Sequence, residues 1–220
     1  MSPRITFEHE LEELKENVAE MSLQVEKTYK GLFQALEEKD ADRIRKIMEM
    51  DRAISDVERN IESRCLSILT RQQPVARDLR IVTAVLKVVT DIERAGDHVA
   101  DMAELMLRLN MNDLTTYSAH VNPMIEETLE MFRDAVKAFI NRDRASAAEV
   151  IDRDDVVDNL FSSVKEDLIE YLKKETKNAD ECIDVLMIAK YLEKIADHAV
   201  NIGEWELFQE TGDIGKSRLL

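Results

Sequence analysis

The sequence predicts an all-α protein, a tandem duplication of an antiparallel three-helix bundle built from six long helices. Helix breakers are scarce, with only 5 Gly and 3 Pro in 220 residues, which favours helix almost throughout. Apolar residues recur at spacings of three and four, the period of packed helices. One helical stretch also occurs twice, as DIERAGDHVADMAE over residues 91–104 and as YLEKIADHAVNIGE over residues 191–204.

The first helix carries the seam Leu11, Leu14, Val18, Met21, Val25, Leu32 and Ala35, and the second carries Ile44, Ile47, Ile54, Ile61, Cys65 and Ile68. Pro74 stands where a third helix can begin, because proline is tolerated in a first turn. That helix has an unbroken seam from Ile81 through Val85, Val88, Ile92, Ala95, Val99, Met102 and Met106 to Leu109. The polar stretch NMNDLTTYSAH reads as a linker, after which the pattern resumes. Ile125, Leu129, Phe132, Val136 and Phe139 mark the fourth helix, and Val150, Val157, Phe161, Val164, Leu168 and Tyr171 the fifth. The sixth holds Val185, Ile188, Leu192, Ile195, Ala199 and Ile202 and should stop near Gly212. Long helices with short connections fold back as antiparallel neighbours, so residues 1–110 and 111–220 are expected to form one bundle each.

A net charge of −16 makes binding to a phosphate backbone unfavourable, so nucleic acid is not an expected partner. The longest apolar run, IVTAVLKVVTDI, is interrupted by Lys87 and is too short to span a bilayer. The first residues, MSPRITFEHE, lack the apolar core of a signal peptide. Cys65 and Cys182 are isolated, as in reduced thiols. The expectation is a cytoplasmic protein without direct membrane insertion.

The two copies of the repeated stretch share Glu93/Glu193, Asp97/Asp197, His98/His198 and Glu104/Glu204, all ionisable, while the apolar positions change identity. At about 100° per residue, Glu93, Asp97 and Glu104 fall within about 40° of one another, and so do Glu193, Asp197 and Glu204. Carboxylates at i and i+4 repel unless a cation or proton lies between them. The second helix adds Asp51 and Glu58 at gaps in its apolar seam, and the fifth adds Asp154. A lone carboxylate in a core seam is costly unless partnered. A solvated edge is the plain reading for any single acid among 46 Asp and Glu. The set, repeated and set into apolar seams, points instead to a carboxylate-rich cation site in each half. All-oxygen ligation suits Mg²⁺, Ca²⁺, Mn²⁺ or iron better than a thiolate metal. His98 and His198 lie about 140° around the helix from the first Glu, off the stripe, and the spacing does not match the Glu-x-x-His of di-iron bundles.

RQQPVARDLR, residues 71–80, places Arg71, Arg77, Asp78 and Arg80 around a helix start. Arginines at a helix N-terminus suit an anion or a partner protein; a capped, salt-bridged turn is the simpler alternative. No nucleophile elbow, phosphate-cradling Gly loop or zinc spacing is present, so an enzyme is not expected. The competing reading is a metal-dependent hydrolase or di-iron-type oxidase on a helical bundle.

RQQPVARDLR, DIERAGDH and YLEKIADHAVNI on a duplicated three-helix frame resemble the PhoU family of phosphate-transport regulators, from about Phe7 to Glu210. The resemblance implies multinuclear sites for divalent or ferric ions (iron, Mg, Mn, Ca or Zn) at E-x-x-x-D motifs. It implies Glu93 and Asp97 in one site and Glu193 and Asp197 in the other. Asp51, Asp154 and Asp158 would be partners from neighbouring helices, with Glu104 and Glu204 as weaker ones. Ser55 stands where the second half has Asp158, so the two sites are expected to differ. The resemblance also implies a cytoplasmic homodimer that acts with the phosphate ABC transporter ATPase and a membrane sensor histidine kinase, restraining uptake and starvation signalling.

Overall fold

The computed structural model describes the backbone of residues 3–109, 111–214 and 217–218, and the side chains of residues 7–50, 52–109 and 111–213. Among them are the helices α1 (Pro3–Glu37), α2 (Ala41–Gln72), α3 (Ala76–Arg108), α4 (Val121–Asn141), α5 (Arg144–Asp152), α6 (Asp154–Lys174) and α7 (Ala179–Thr211). Helices α1, α2 and α3 pack on one another, and α4, α5 and α6 pack around α7. The seams read from the sequence form the core: Leu14, Val18, Met21, Ile44, Ile92, Val99, Met106, Val157 and Leu192 are all fully buried.

The connection between the first two helices recurs in the second half. Lys39 (φ 55°) and Arg142 (φ 56°) each take the left-handed conformation that ends a helix. Asp40 and Asp143 follow them, and each caps the next helix by accepting a hydrogen bond from its first-turn backbone N–H groups. The last helix stops where expected: Gly212, at φ 79°, donates its N–H to the Phe208 carbonyl. A two-residue antiparallel pairing, Asp213–Ile214 with Ser217–Arg218, follows it and is not foreshadowed by the sequence pattern.

One departure is physical. The expected fifth helix is divided at Arg153 into α5 and α6. There the ladder switches to a shorter step, Val156 N–H donating to the Arg153 carbonyl at 3.0 Å. The Arg153 guanidinium turns to α4, where it meets Glu127 (2.7 Å), Asp134 (2.9 Å) and Glu130 (3.4 Å). Carboxylates one and two turns apart on α4 would repel, and this cation holds them together. In the first half Met50 stands at the matching place, and α2 runs unbroken past it.

Helices α3 and α7 join the halves as an antiparallel zipper. At one end Arg80 donates from Nε to the Gln209 carbonyl and from Nη2 to the Glu210 carbonyl, both at 3.1 Å. These carbonyls lie in the last turn of α7, where they lack intrahelical partners and the helix dipole is negative. In the middle His198 Nδ1 lies 2.8 Å from Asp91 Oδ1, and the His98 ring stacks on His198 and on Tyr191 at centroid distances of 5.6 and 5.3 Å. At the far end Arg108 pairs with the buried Asp184 at 3.0 Å. Because α7 touches α3, α4, α5 and α6, it is buried on several faces rather than along one stripe.

Candidate cation site

Each half brings a carboxylate set to the cleft between its second and third helical segments. In the first half, Ser55 of α2 donates its hydroxyl to Glu93 Oε1 of α3 at 2.9 Å. Glu58 of α2 lies beside the same carboxylate. Burial pushes the Glu58 carboxyl up from its ordinary range, the Glu93 charge adds to the shift, and a hydrogen bond from Thr90 opposes it. Arg94 spans the E-x-x-x-D pair, its Nε 3.8 Å from Glu93 and its Nη1 3.0 Å from Asp97. Asp51 belongs to α2, but its side chain lies outside the described residues.

The second half repeats the plan with different side chains. Burial raises the Asp154 carboxyl, and the charges of Asp158, Asp197, Asp155 and Glu193 raise it further. Asp154 of α6 therefore lies within the field of Glu193 and Asp197 of α7, with the exposed Asp158 one turn along its own helix. Lys194 does what Arg94 does, its Nζ 3.4 Å from Glu193 and 2.5 Å from Asp197. Lys190 adds a contact to Glu193 at 2.6 Å and lies over the Phe161 ring at 5.3 Å.

Two of the expected ligands sit apart. Glu104 and Glu204 share the stripe, but seven residues of helix separate each from its Asp by about 10 Å. Glu104 is exposed, and its charge is felt at Tyr191 on the α3/α7 seam. Among the described residues, no three His, Cys, Asp or Glu side chains converge on one point as a finished metal site would require. In each half a basic side chain from the same helix already supplies positive charge between the stripe Glu and Asp. The residues nevertheless fit a hard cation in donor chemistry: oxygen atoms only, from two adjacent helices, with the Glu58 and Asp154 carboxyls each raised by burial and by neighbouring carboxylates.

The RQQPVARDLR turn divides by function. Arg80 is taken up by the end of α7, and Arg77 approaches Glu210 at 3.7 Å. Arg71 is exposed. Arg77 and Asp78 also line a hollow of about 320 Å³ that reaches Lys15 and Arg142. Ser118, His120 and Asp167 meet in the linker region but form no catalytic triad. The Ser118 hydroxyl donates to Asp167 Oδ2 at 2.6 Å, and His120 Nδ1 lies 2.8 Å from the same oxygen. One carboxylate thus holds both groups, so the hydroxyl lacks a base.

Two features show their setting only in the folded chain. Glu58 was visible as a gap in an apolar seam, but its neighbour Glu93 belongs to another helix. Glu206 of α7 is fully buried, with Oε2 accepting from Gln209 at 2.6 Å and Oε1 without a partner. Burial pushes its carboxyl to about 8, chiefly by desolvation and then by Glu210. Nothing in the local sequence EWELFQE marks it.

The PhoU domain pattern matches twice, over residues 18–106 and 121–205. A phosphate-specific transport system accessory protein PhoU homolog from Clostridium acetobutylicum is 32% identical over 210 residues, covering 95% of this chain and 96% of that one. Homolog 1 of the same name from Thermotoga maritima is 30% identical over 213 residues, covering 96% and 92%. Among solved structures, the phosphate transport system regulatory protein PhoU from Streptococcus pneumoniae superposes with a TM-score of 0.88 at 28% identity, covering 96% of this chain and 99% of that one.

Proposed function

Because this chain belongs to the PhoU family, we propose that it is a non-enzymatic regulator of phosphate transport, a cation-binding adaptor that restrains uptake when phosphate is plentiful. Similarity along nearly the whole length to proteins named phosphate-specific transport accessories is the observation that carries this reading. The chain would act in the cytoplasm, as a homodimer, between the transporter ATPase and a membrane sensor histidine kinase. No helix among the described residues is long and apolar enough to cross a membrane, so contact with those membrane systems falls to outer helix faces.

The carboxylate clefts have a mechanical role in this reading. Glu93 and Asp97 with the α2 acids, and Glu193 and Asp197 with Asp154 and Asp158, would hold divalent or ferric cations. A bound ion supplies concentrated positive charge. The residues themselves orient two helices against each other and exchange a lysine or arginine contact for the ion. The two clefts are chemically unequal, Ser55 and Glu58 facing Glu93 where Asp158 and Phe161 stand in the second half. They should therefore differ in affinity. Arg71, Arg77 and Asp78, at the exposed turn, are left for an anion or a partner.

Deleting the gene from its host is the test. Over-accumulation of phosphate, or expression of starvation genes in phosphate-rich medium, is the expected outcome. A strain with normal phosphate control contradicts the proposal.

A further inference from the structure

Helices α1 and α4 meet across the two halves, pinned by the Tyr29 hydroxyl donating to the Ile125 carbonyl at 2.8 Å. On that seam lies a hollow of about 210 Å³, and a second of about 270 Å³, lined by α1 alone, adjoins it through Leu23 and Glu26. The floor of the seam hollow is apolar: Ala19, Leu23, Val136 and Ile140 line it. Leu23 is 60% exposed, an uncovered anchor on a helix whose other leucines are mostly inside. The rim is basic. Lys27, Lys30, Arg133 and Lys137 border the hollows, and the one lining carboxylate, Glu26, is ion-paired to Lys30. On a chain of net charge −16, an apolar groove fenced by cations is set against the charge of the whole.

We propose that the α1/α4 groove docks an amphipathic helix of another protein, apolar along one stripe and acidic on its flanks. Helix-in-groove recognition uses apolar anchors at i, i+3, i+4 and i+7, and the exposed Leu23 beside Ala19, Val136 and Ile140 offers them an apolar floor. The basic rim selects acidic flanks and excludes basic ones. A second copy of this chain is disfavoured as occupant. A two-fold axis through the groove would set Lys27, Arg133 and Lys137 of one protomer against the same residues of the other. This inference rests on the adaptor reading, for which it names the chemistry of the partner.

A fluorescein-labelled peptide of about 18 residues, about five helical turns, with Leu at those anchor spacings and Glu on the flanks, is titrated with the full chain. Binding should weaken as salt rises and fall at least about tenfold in Arg133→Glu/Lys137→Glu and in Leu23→Glu. All three positions are at the surface, and unchanged circular dichroism and melting confirm folding. Failure of the wild-type chain to bind, or binding indifferent to these changes, overturns the proposal. So does equal Leu23-dependent binding of the same peptide with Lys flanks. If Leu23→Glu instead dissolves a dimer in sedimentation, the occupant is a second copy. If it abolishes co-sedimentation with phosphatidylglycerol vesicles while peptide binding stays, the occupant is lipid; both results contradict the proposal. Phosphate control in the deletion strain is scored separately. Peptide binding alongside normal phosphate control sinks the regulator reading, whereas abnormal control without peptide binding sinks the groove alone.

Discussion

Glu206→Gln should make this protein more stable, and more so as pH rises. The native carboxyl is fully buried, has one oxygen without a partner, and is pushed from its ordinary 4.5 to about 8. The unfolded chain releases this proton near pH 4.5, while the native state keeps it until about 8. Between those values the native state holds the extra proton, so stability falls as pH rises, by about 1.4 kcal/mol per unit. Above 8 both states are ionised and the loss levels off. At pH 7 the cost reaches about 3 kcal/mol, and at pH 5.5 about 1.4 kcal/mol. Glutamine cannot ionise, keeps an oxygen to accept from Gln209, and removes the cost. A gain of about 3 kcal/mol in a chain of this size is roughly 6 to 12 °C in Tm. Urea titrations at several pH values between 5 and 8 read this directly. The single tryptophan, Trp205, packs on Phe208 at 5.3 Å one residue from the site and serves as a reporter. A variant no more stable than wild type at pH 7, with the same pH slope, refutes the buried-acid argument.

Arg80→Ala uncaps two carbonyls at the end of α7 and should cost about 1–3 kcal/mol; hydrogen exchange should quicken there first, and protection equal to wild type would contradict the cap. Gly203→Ala would bring a Cβ within 3.1 Å of the Ala147 backbone carbonyl, which cannot step aside. It should therefore destabilise by about 1–3 kcal/mol despite the gain of about 1 kcal/mol in helix propensity, and a rise in Tm would overturn this. Arg153→Met, the residue found at the matching place in α2, leaves Glu127, Glu130 and Asp134 to repel. Thermal melting should show a loss of about 1–2 kcal/mol that shrinks in high salt; a loss independent of salt would point to packing instead.

Much of the architecture could be read beforehand because periodicity is a local property. The seam from Ile81 to Leu109 and the stop at Gly212 needed no knowledge of neighbouring helices. The E-x-x-x-D acids were equally visible, being repeated. What escaped notice depends on partners distant in sequence. Arg153 breaks a helix because three carboxylates on α4 attract it, and DRDD alone does not say so. For Arg80 the sequence left both an anion site and a capped turn open, and the carbonyls it meets belong to the end of α7. Glu58 joins Glu93 only once α2 lies on α3, and Glu206 is buried on α7 with the distant Arg142–Arg144 turn beside it.

Cation retention by the paired acids is tested most directly by elemental analysis of the purified chain with inductively coupled plasma mass spectrometry. Wild type should retain divalent or ferric ions through gel filtration, Glu93→Ala/Asp97→Ala and Glu193→Ala/Asp197→Ala should each lose a different part, and all four changes together should lose nearly all. Metal content that is negligible in wild type under metal-replete conditions, or identical in every variant, contradicts it.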